Sequence, residues 1–380
     1  MKIVQVQTQA EAAGAQRISD MVGEGLRARG HEVRTVFMYR KTDVYDHDPH
    51  ADFVLTEQPR GLPGQMRAAV GLASYLRKAR PDAVITFQHY GNIFGTIGAR
   101  FAGANLIIAN QSGAPQTRGV RGILTRIDTL MGIFGAYHAN VVNSSWTEAQ
   151  FDTFPKAYRR RMSRIDHGVP APAVPFDKVA ARAAFGLPQE AWIAVSSGRM
   201  APSKNQIALV GALAHVPGIH LAIAGTGPER QAIVAAANAH GVTDRLHLVG
   251  EVSPARIFEF LATGDAYAFS SLTETFGLAA VEAAISGLPV VTSKLDVLRE
   301  VLTTEAGEEG ALFVEADARG IAGGLAKLRA TPDLAASLTA AGRQLKEQYS
   351  PARMCAGYEA LLLSRSLSHG RNSIDNLQSA

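Results

Sequence analysis

The sequence contains a single cysteine, Cys355, among 380 residues. One thiol cannot form a disulfide within the chain, which fits a reducing compartment. No apolar run approaches the roughly 20 residues needed to cross a bilayer. The first residues read as a strand and not as a charged segment followed by an apolar signal core. We therefore expect a cytoplasmic protein, and peripheral contact with the inner face of the membrane stays an open alternative.

The sequence also lacks a strong excess of charge of one sign. Lysine and arginine number 38 and aspartate and glutamate 34, which leaves a net charge of +4. Nucleic-acid binders usually carry a strongly basic face, so no nucleic-acid partner is expected. Neither a Walker loop nor the dinucleotide fingerprint G-x-G-x-x-G is present, which argues against a dehydrogenase. The small positive excess suits an anionic small molecule or an acidic membrane surface.

Short apolar strands alternate with helices along the whole chain. Strands are expected at Lys2–Val6, Glu32–Phe37, Ala83–Phe87, Asn105–Ala109, Ala139–Asn143, Met162–Ile165, Trp192–Val195, Leu221–Ala224, Leu246–Val249, Ala266–Phe269, Pro289–Thr292 and Ala311–Val314. Buried strands separated by helices are typical of parallel sheets covered on both faces. Three prolines between Gly168 and Pro175 indicate a linker. The fold class is therefore α/β, with two doubly wound, Rossmann-like domains of residues 1–168 and 169–348 that face each other across a cleft.

Two glutamates separated by seven residues follow one of these strands. Glu274 precedes a helix that Gly277 opens, and Glu282 lies within that helix among alanine, valine and isoleucine. A carboxylate with such neighbours is costly to bury without a partner. Both acids are candidates to accept hydrogen bonds from sugar hydroxyls, while the helix start near Phe276 offers amides to a phosphate. The alternative is that Glu282 lies on a solvated face and Glu274 near a helix cap.

Basic residues follow another strand, in the segment Ser197-Gly198-Arg199-Met-Ala-Pro-Ser-Lys204-Asn205. A strand–loop–helix turn of this kind binds phosphates in α/β sheets. The planar fork of Arg199 and the ammonium of Lys204 would together neutralise a diphosphate leaving group. A third loop, which begins Gly225-Thr-Gly227, is rich in glycine and stands where a nucleotide could lie, although a simple tight turn is the alternative.

These three elements resemble the retaining GT-B glycosyltransferases of glycosyltransferase family 4 (glycosyl transferases group 1), and the resemblance covers nearly the whole chain. It implies that Arg199 and Lys204 hold the donor diphosphate, that Glu274 contacts the donor sugar and that Glu282 binds the ribose. It also implies that the base lies against the loop at Gly250–Val252. The positions expected to contact the nucleotide sugar are Gly14, Gly198, Gly225, Val252, Phe276, Gly277, Leu278 and Glu282.

The N-terminal half departs further from the family pattern. Where the family often has Gly-Gly-x-Glu-Arg, this sequence reads Ala13-Gly14-Ala15-Gln16-Arg17, so one glycine is kept and glutamine replaces the acid. The family places a histidine after a middle strand, and His89 fits that position, as a contact for the donor sugar or the acceptor; an ordinary loop histidine is the alternative. Asn110 and Ser112 are candidates for the acceptor side. The family's closing helix, which returns to the first domain, fits residues 349–366, and the residues from Ser366 onward read as a frayed polar tail.

Two polar segments have plainer interpretations. The Asp46-His47-Asp48-Pro49-His50 segment contains metal-ligating residue types, but it lies in a polar loop away from the other motifs, so we expect a solvated loop and no metal. The segment from Gly119 to Tyr137 alternates arginines with apolar residues, and a basic run surrounds Arg160. A membrane-contacting surface or a site for a lipid-diphosphate acceptor is one interpretation, and a solvated basic face is the favoured one.

The expected activity is therefore transfer of a sugar from a nucleotide-diphosphate donor to an acceptor hydroxyl with retention at the anomeric carbon. The catalytic candidates are Arg199, Lys204, Glu274 and His89. A UDP-sugar is the first expectation for the donor and a GDP-sugar the second, with no other cofactor. A carbohydrate or lipid-linked acceptor in cell-surface polysaccharide or glycolipid synthesis is expected. The alternatives are a GT-B sugar-nucleotide epimerase or phosphorylase and a non-enzymatic two-domain ligand-binding protein.

Overall fold

The structure is a computed structural model that describes residues 1–11, 13–111, 113–115 and 119–378, without the side chains of residues 121 and 365–378. The chain divides into two compact units. One is Met1–Gly168 together with the helix that starts at Pro351, and the other is Val169–Ser350. Each unit has its own parallel sheet and its own hydrophobic core. The prediction of two doubly wound α/β domains is confirmed.

The first unit is built on a seven-stranded sheet. Its strands are β1 (Lys2–Ala10), β2 (Glu32–Arg40), β3 (Ala51–Leu55), β4 (Ala83–Thr86), β5 (Leu106–Gln111), β6 (Ala139–Val142) and β7 (Met162–Arg164). Its helices are α1 (Gly14–Ala28), α2 (Gly61–Ala79), α3 (His89–Phe101), α4 (Gly119–Ile133), α5 (Ser145–Ala149) and α6 (Lys156–Arg159). The strand order is β3-β2-β1-β4-β5-β6-β7, and all pairs are parallel.

The second unit has a six-stranded sheet. Its strands are β8 (Trp192–Ser197), β9 (Ile219–Ala224), β10 (Leu246–Gly250), β11 (Ala266–Phe269), β12 (Val290–Ser293) and β13 (Ala311–Val314). Its helices are α7 (Lys178–Ala184), α8 (Gln206–Leu213), α9 (Arg230–His240), α10 (Ile257–Leu261), α11 (Leu278–Ile285), α12 (Asp296–Val301), α13 (Ala318–Ala330) and α14 (Pro332–Gln348). The strand order is β10-β9-β8-β11-β12-β13, and helix α15 (Pro351–Gln378) then ends the chain in the first unit.

The strand order of each sheet reverses at one point. In the first unit the chain moves outward from β1 through β2 and β3, then continues with β4 on the other side of β1. In the second unit the same reversal separates β8 from β11. The loops that leave the two strands on either side of such a point diverge and open a crevice at the carboxyl ends of the strands. Each unit therefore has one place where the fold itself favours a ligand.

Connections between parallel strands are almost always right-handed, so the reversed strand order places the helices of the first unit on both faces of its sheet. α1 packs with α15 on one face, and their approach is so close that a Cβ on Gly25 would lie 2.1 Å from the Cys355 sulfur. An ion pair between Arg29 and Glu359, at 3.2 Å, joins the same two helices. On the other face α2 packs against α3, and α3 against α4. The strands between are buried on both sides, which explains their continuous apolar sequence.

Two expectations about secondary structure are wrong. Strand β3 at Ala51–Leu55 was not expected, because the segment is only half-buried at the edge of the sheet and its apolar signal is short. Helix α15 continues to Gln378, so residues 366–378 are helical and not a frayed tail. This stretch contains no proline to stop the helix, although its polar composition resembles that of a loop. None of the described helices is long and apolar enough to span a membrane.

Two adjacent glycines in α13 test how tightly this helix packs. A Cβ on Gly323 meets nothing within 4 Å, whereas a Cβ on Gly324 would lie 2.6 Å from Val291 Cγ1 in the sheet. Gly323→Ala should raise the free energy of unfolding by about 0.5–1 kcal/mol, because alanine is the better helix former. Gly324→Ala should lower it by roughly 1–3 kcal/mol, since the added methyl overpacks the core. Denaturant unfolding of both variants measures this, and equal shifts would contradict the packing described here.

Candidate functional site

The loop after β8 carries the predicted basic residues. Arg199 is exposed, and Lys204 ends a 3-10 turn that runs from Pro202 to Lys204. Asn205 follows in the left-handed region, with φ of 52°, and its side-chain amide donates to the Ala316 carbonyl at 2.7 Å. This bond fixes the sharp change of direction between the loop and α8, so the two cations project from a held backbone.

The loop after β9 lies directly against the loop after β8. The Met200 amide donates to the Thr226 carbonyl at 2.8 Å, and the Gly198 amide to the Ala224 carbonyl at 2.9 Å. A Cβ on Gly225 would lie 2.1 Å from the Gly198 oxygen, and glycine is therefore required there. The glycine-rich loop after β9 therefore packs directly against the basic loop after β8. The Gly225 amide in turn donates to the Gly250 carbonyl at 2.6 Å, which places the loop that contains Val252 beside it.

The structure brings Lys204 and Glu274 together. Lys204 Nζ lies 2.5 Å from Glu274 Oε1, and also 5.5 Å from the centre of the Phe269 ring. Both side chains are only partly exposed to solvent. Lys204 follows β8 and Glu274 follows β11, so this ion pair spans the point where the strand order reverses. The two residues predicted from separate motifs therefore belong to one site.

Two serines that the sequence reasoning missed hold these loops together. Ser270 Oγ donates to the carbonyls of Lys204 and Asn205 at 3.0 and 2.8 Å. Ser271 Oγ donates to the Ser203 carbonyl at 3.1 Å. The signal for them was two adjacent hydroxyl side chains directly after the buried strand β11, at the same strand ends as the predicted motif. They fix Lys204 relative to Glu274 and so position the ion pair.

Glu282 is 96% buried in α11, with only 4% of its surface exposed. The alternative of a solvated face is therefore wrong. Its neighbour Tyr267 lies in β11, and the Tyr267 hydroxyl reaches the end of β8, 3.0 Å from Ser197 Oγ. Burial raises the pKa of the Tyr267 hydroxyl, and the negative charges of Glu282 and Glu274 raise it further. Both carboxylates thus lie close enough to act on one buried tyrosine, at the same strand ends as Lys204.

Gly277 lies at the start of the helix that contains Glu282, as predicted. It caps α11 in the left-handed region with φ of 84°, and a Cβ there would meet Leu298 Cδ2 at 2.4 Å. Leu278 is the first residue of the helix and is half-buried. The Phe276 side chain is buried and packs edge-on against Tyr349, with ring centres 5.1 Å apart. The Phe276 ring therefore belongs to the core of the unit and anchors the loop that carries Glu274.

A cavity of about 360 Å³ lies at the corresponding place in the first unit. Its lining includes His89, Asn110, Gln111, Asp128 and Phe151. Two of the predicted residues, His89 and Asn110, thus share one cavity, and Ser112 lies outside the described residues. Gly14 begins α1, and the next residue, Ala15, also lines the cavity.

The backbone before His89 is strained. Gln88 has φ of 64° and ψ of 159°, a conformation that L-residues rarely adopt. Its side-chain oxygen accepts from the Thr8 amide at 3.0 Å, and its carbonyl accepts from the Asn92 amide at 2.7 Å. Strain of this kind persists only where neighbours enforce it, and here they hold His89 at the start of α3 beside the reversal point of the first sheet.

Asp128 is a third residue that the sequence reasoning missed. It is buried in α4, where its carboxylate accepts from Tyr158 at 2.6 Å, from Gln111 at 3.0 Å and from Tyr137 at 3.4 Å. Burial raises its pKa from the ordinary 3.8 to about 6. Asp128 is the only acid of α4, which was a signal available in the sequence.

Residues 46–50 have local partners. Asp46 forms an ion pair with Arg40, and Asp48 accepts from the His50 amide at 2.8 Å. Within the described parts of the chain, no three histidine, cysteine, aspartate or glutamate side chains are grouped so as to hold a metal ion.

Comparison with known proteins identifies the second unit. Residues 177–345 match the family Glycosyl transferases group 1. The chain is 27% identical over 285 residues to the lipopolysaccharide core biosynthesis glycosyltransferase LpsD of Rhizobium meliloti. The aligned region covers 74% of this chain and 75% of LpsD. The chain is 33% identical over 160 residues to the D-inositol 3-phosphate glycosyltransferase of Mycolicibacterium smegmatis, but spans only 37% of that protein's length and 40% of its own.

Among solved structures, Anabaena Alr3699/HepE in complex with UDP and glucose is similar, with a TM-score of 0.83, 17% identity and coverage of 96% of this chain and 100% of HepE. This likeness concerns the fold, which is that of GT-B glycosyltransferases. Residues 177–345 therefore match the glycosyl transferases group 1 family, and the chain has the fold of GT-B glycosyltransferases. The domain and the names of the relatives support the prediction of a transferase enzyme.

The buried carboxylate of Asp128 gives a pH-dependent prediction. Its pKa is higher in the folded than in the unfolded chain, so folding favours its protonated form. Its contribution to stability is fully present below the unfolded pKa near 3.8 and is lost as the pH rises through about 6. As the pH is lowered from 8 to 4, the free energy of unfolding of the wild type should therefore rise relative to that of Asp128→Asn, by on the order of 3 kcal/mol at most. Denaturant unfolding over this range measures the difference, and a pH-independent difference would contradict the raised pKa.

Proposed function

We propose that the protein transfers a sugar from a nucleotide-diphosphate donor to an acceptor hydroxyl with retention of anomeric configuration. The observation that carries this proposal is the Lys204–Glu274 ion pair at the reversal point of a sheet whose unit matches the glycosyl transferases group 1 family. A diphosphate bound at Lys204 has its attached sugar next to Glu274. The GT-B resemblance assigns the same roles, with Arg199 as the second cation.

The donor diphosphate gains negative charge as its bond to the sugar breaks. Lys204 and Arg199 stabilise that charge, and the start of α11, which closely follows Glu274, offers backbone amides to the same phosphates. Glu274 and Glu282 accept hydrogen bonds from the sugar and from the ribose. The acceptor oxygen bonds to the anomeric carbon on the face that the phosphate leaves, and its proton passes to the leaving phosphate oxygen. This route needs no protein nucleophile.

We propose a uridine donor first and a guanosine donor second, with the base against Gly250–Val252. HepE, whose fold is similar, is described in complex with UDP and glucose. For the acceptor we propose a carbohydrate or lipid-linked carbohydrate of cell-surface polysaccharide or glycolipid synthesis, because LpsD is named for lipopolysaccharide core synthesis. The cavity that His89 and Asn110 line in the first unit is the proposed acceptor side.

Lys204→Ala tests the charge on the leaving group. Because this ammonium would act mainly as the diphosphate leaves, the substitution should reduce kcat by at least about 100-fold. The matched control is Lys327→Ala, an exposed lysine of α13 in the same unit, which should leave kcat unchanged. Release of nucleoside diphosphate from a panel of nucleotide sugars with a glycan acceptor measures turnover. Near wild-type turnover by Lys204→Ala would end the assignment.

Glu282→Gln tests ribose binding separately from turnover. The substitution keeps the size of the buried side chain but removes its charge, so the hydrogen bond to a ribose hydroxyl weakens. Titration with UDP should show a Kd raised by roughly 10-fold or more, while the midpoint of thermal unfolding without nucleotide changes little. An unchanged Kd would refute the ribose contact.

Product analysis separates this proposal from an epimerase. A glycosyltransferase forms a glycoside only when an acceptor is present, whereas an epimerase converts the nucleotide sugar without an acceptor. Stereochemistry at the anomeric carbon of the product, read by its proton coupling, tests retention. An inverted product would overturn the front-face route and leave the transferase activity intact.

A further inference from the structure

The cavity of the first unit has both apolar and polar walls. Its volume is about 360 Å³, and Leu124 and Phe151 are among its apolar lining residues. Among the described residues that line it, the polar side chains are amides, hydroxyls, one histidine and the carboxylate of Asp128, without any lysine or arginine. Pockets for small ligands begin at roughly 300 Å³. The cavity therefore suits one small unit, such as a single sugar ring.

Two of the amides in this lining are bonded to the protein itself. The side-chain amide of Asn92 donates to the Asn110 carbonyl at 2.7 Å, and its oxygen accepts from the Thr86 hydroxyl at 2.9 Å. The side-chain amide of Asn110 donates to the Thr86 carbonyl at 3.0 Å, and its oxygen accepts from the Tyr358 hydroxyl. These bonds fix the wall of the cavity, so other side chains must provide most of the recognition of a ligand.

The two oxygens of the Asp128 carboxylate differ in their partners. Oδ2 accepts from the Tyr158 hydroxyl at 2.6 Å and from the Gln111 amide at 3.0 Å. The Tyr158 hydroxyl accepts from the Asn140 amide at 2.8 Å, which directs its one proton to Asp128. Oδ1 accepts a long bond of 3.4 Å from Tyr137. Because a carboxylate oxygen has two lone pairs, Oδ1 has room for a donor from a ligand.

The charge of this carboxylate restricts the kind of ligand. A hydroxyl that donates to an ionised carboxylate forms a bond stronger than one between neutral groups. A phosphate on the ligand would instead meet a charge of the same sign, in a cavity whose described lining contains no lysine or arginine to offset it. Phe151, whose ring stacks on that of Tyr158 with centres 5.8 Å apart, offers an apolar surface to the C–H face of a sugar. The lining therefore favours an uncharged sugar.

We propose that Asp128 recognises the acceptor by accepting a hydrogen bond from a hydroxyl of an uncharged sugar ring, and that it disfavours a phosphorylated ring. Asp128 is then a residue that determines acceptor specificity, in addition to its place in the hydrogen-bond network of α4. Calling this sugar the acceptor rests on the proposed function. Binding of the sugar in the cavity does not, because no nucleotide is needed for it.

Sugar binding without a nucleotide tests the proposal. The probes are the methyl glycosides of glucose, galactose and mannose, titrated against the full chain by saturation-transfer NMR, with the 6-phosphates of the same sugars as anionic counterparts. At least one methyl glycoside should bind the wild type, and its 6-phosphate should bind at least about ten-fold more weakly. Asp128→Asn should weaken binding of the glycoside by at least about ten-fold, since the ionised acceptor is lost.

The matched control is Asp20→Asn. Asp20 lies in α1 of the same unit, accepts from the Tyr45 hydroxyl at 2.7 Å and has a pKa that burial raises to about 6, but it does not line the cavity. This variant should bind the methyl glycoside like the wild type. Equal binding by Asp128→Asn and Asp20→Asn would overturn the proposal, as would the absence of glycoside binding by the wild type or equal binding of the 6-phosphate.

The pH profile of binding separates recognition from a purely structural role. Burial raises the pKa of Asp128 to about 6, and the bond from Tyr158 opposes this rise. Wild-type affinity for the glycoside should therefore fall as the pH drops through about 6, because the protonated carboxyl is a weaker acceptor. Tyr158→Phe removes the opposing bond and should move the midpoint of this fall to higher pH. Asp128→Asn should lack the fall.

The other ionisable groups around Asp128 do not change this comparison. Burial and the charge of Asp128 raise the pKa of both Tyr137 and Tyr158, so they keep their protons over this range. His89 is present in every variant, and its contribution is common to all of them. If Asp128→Asn unfolds under the assay conditions, Tyr158→Phe decides, and an unmoved midpoint would overturn the proposal. Failure of sugar transfer with intact glycoside binding would count against the proposed function alone.

Discussion

The arrangement of the second unit depends on where its sheet reverses strand order. Lys204 and Glu274 lie in the loops that follow the strands on either side of that point. These loops diverge from one another, and the ion pair, at 2.5 Å, joins them. The hydroxyls of Ser270 and Ser271 hold the backbone of one loop to the other, so the pair is fixed and does not depend on flexible side chains alone. The nearness of the cation, the carboxylate and the helix start supports the proposed site for a charged ligand.

The first unit also has a reversal of strand order, but different side chains lie beside it. Its reversal point lies between β1 and β4, and the cavity there is lined by amides, a histidine and a buried carboxylate instead of a lysine–glutamate pair. Gln88 and Asp128 are part of that lining, and the hydrogen bond from Tyr158 holds the Asp128 carboxylate in place. One fold thus provides two crevices of unlike polarity, which suits the proposed division between a charged donor and a hydroxyl-bearing acceptor.

Most of the fold could be predicted from the sequence because buried parallel strands give continuous apolar runs bounded by turns. Strand β3 was missed since an edge strand is half-buried and short, and the extent of α15 was missed because composition alone does not separate a polar helix from a polar tail. Gly277 was recognised as the start of α11 because a glycine before an apolar helix has a local signature, whereas Ser270, Ser271 and Asp128 act through residues distant in sequence.

The sequence by itself determined the class of fold, the glycine-rich and basic loops and the acidic pair, because each is a local pattern of a few residues. Only the tertiary structure decided that Lys204 pairs with Glu274, that Glu282 is buried and that Asp128 lines one cavity with His89 and Asn110. The physical reason is that burial and pairing depend on which strands and helices become neighbours, and such neighbours lie far apart along the chain, as Lys204 and Glu274 do at a separation of 70 residues.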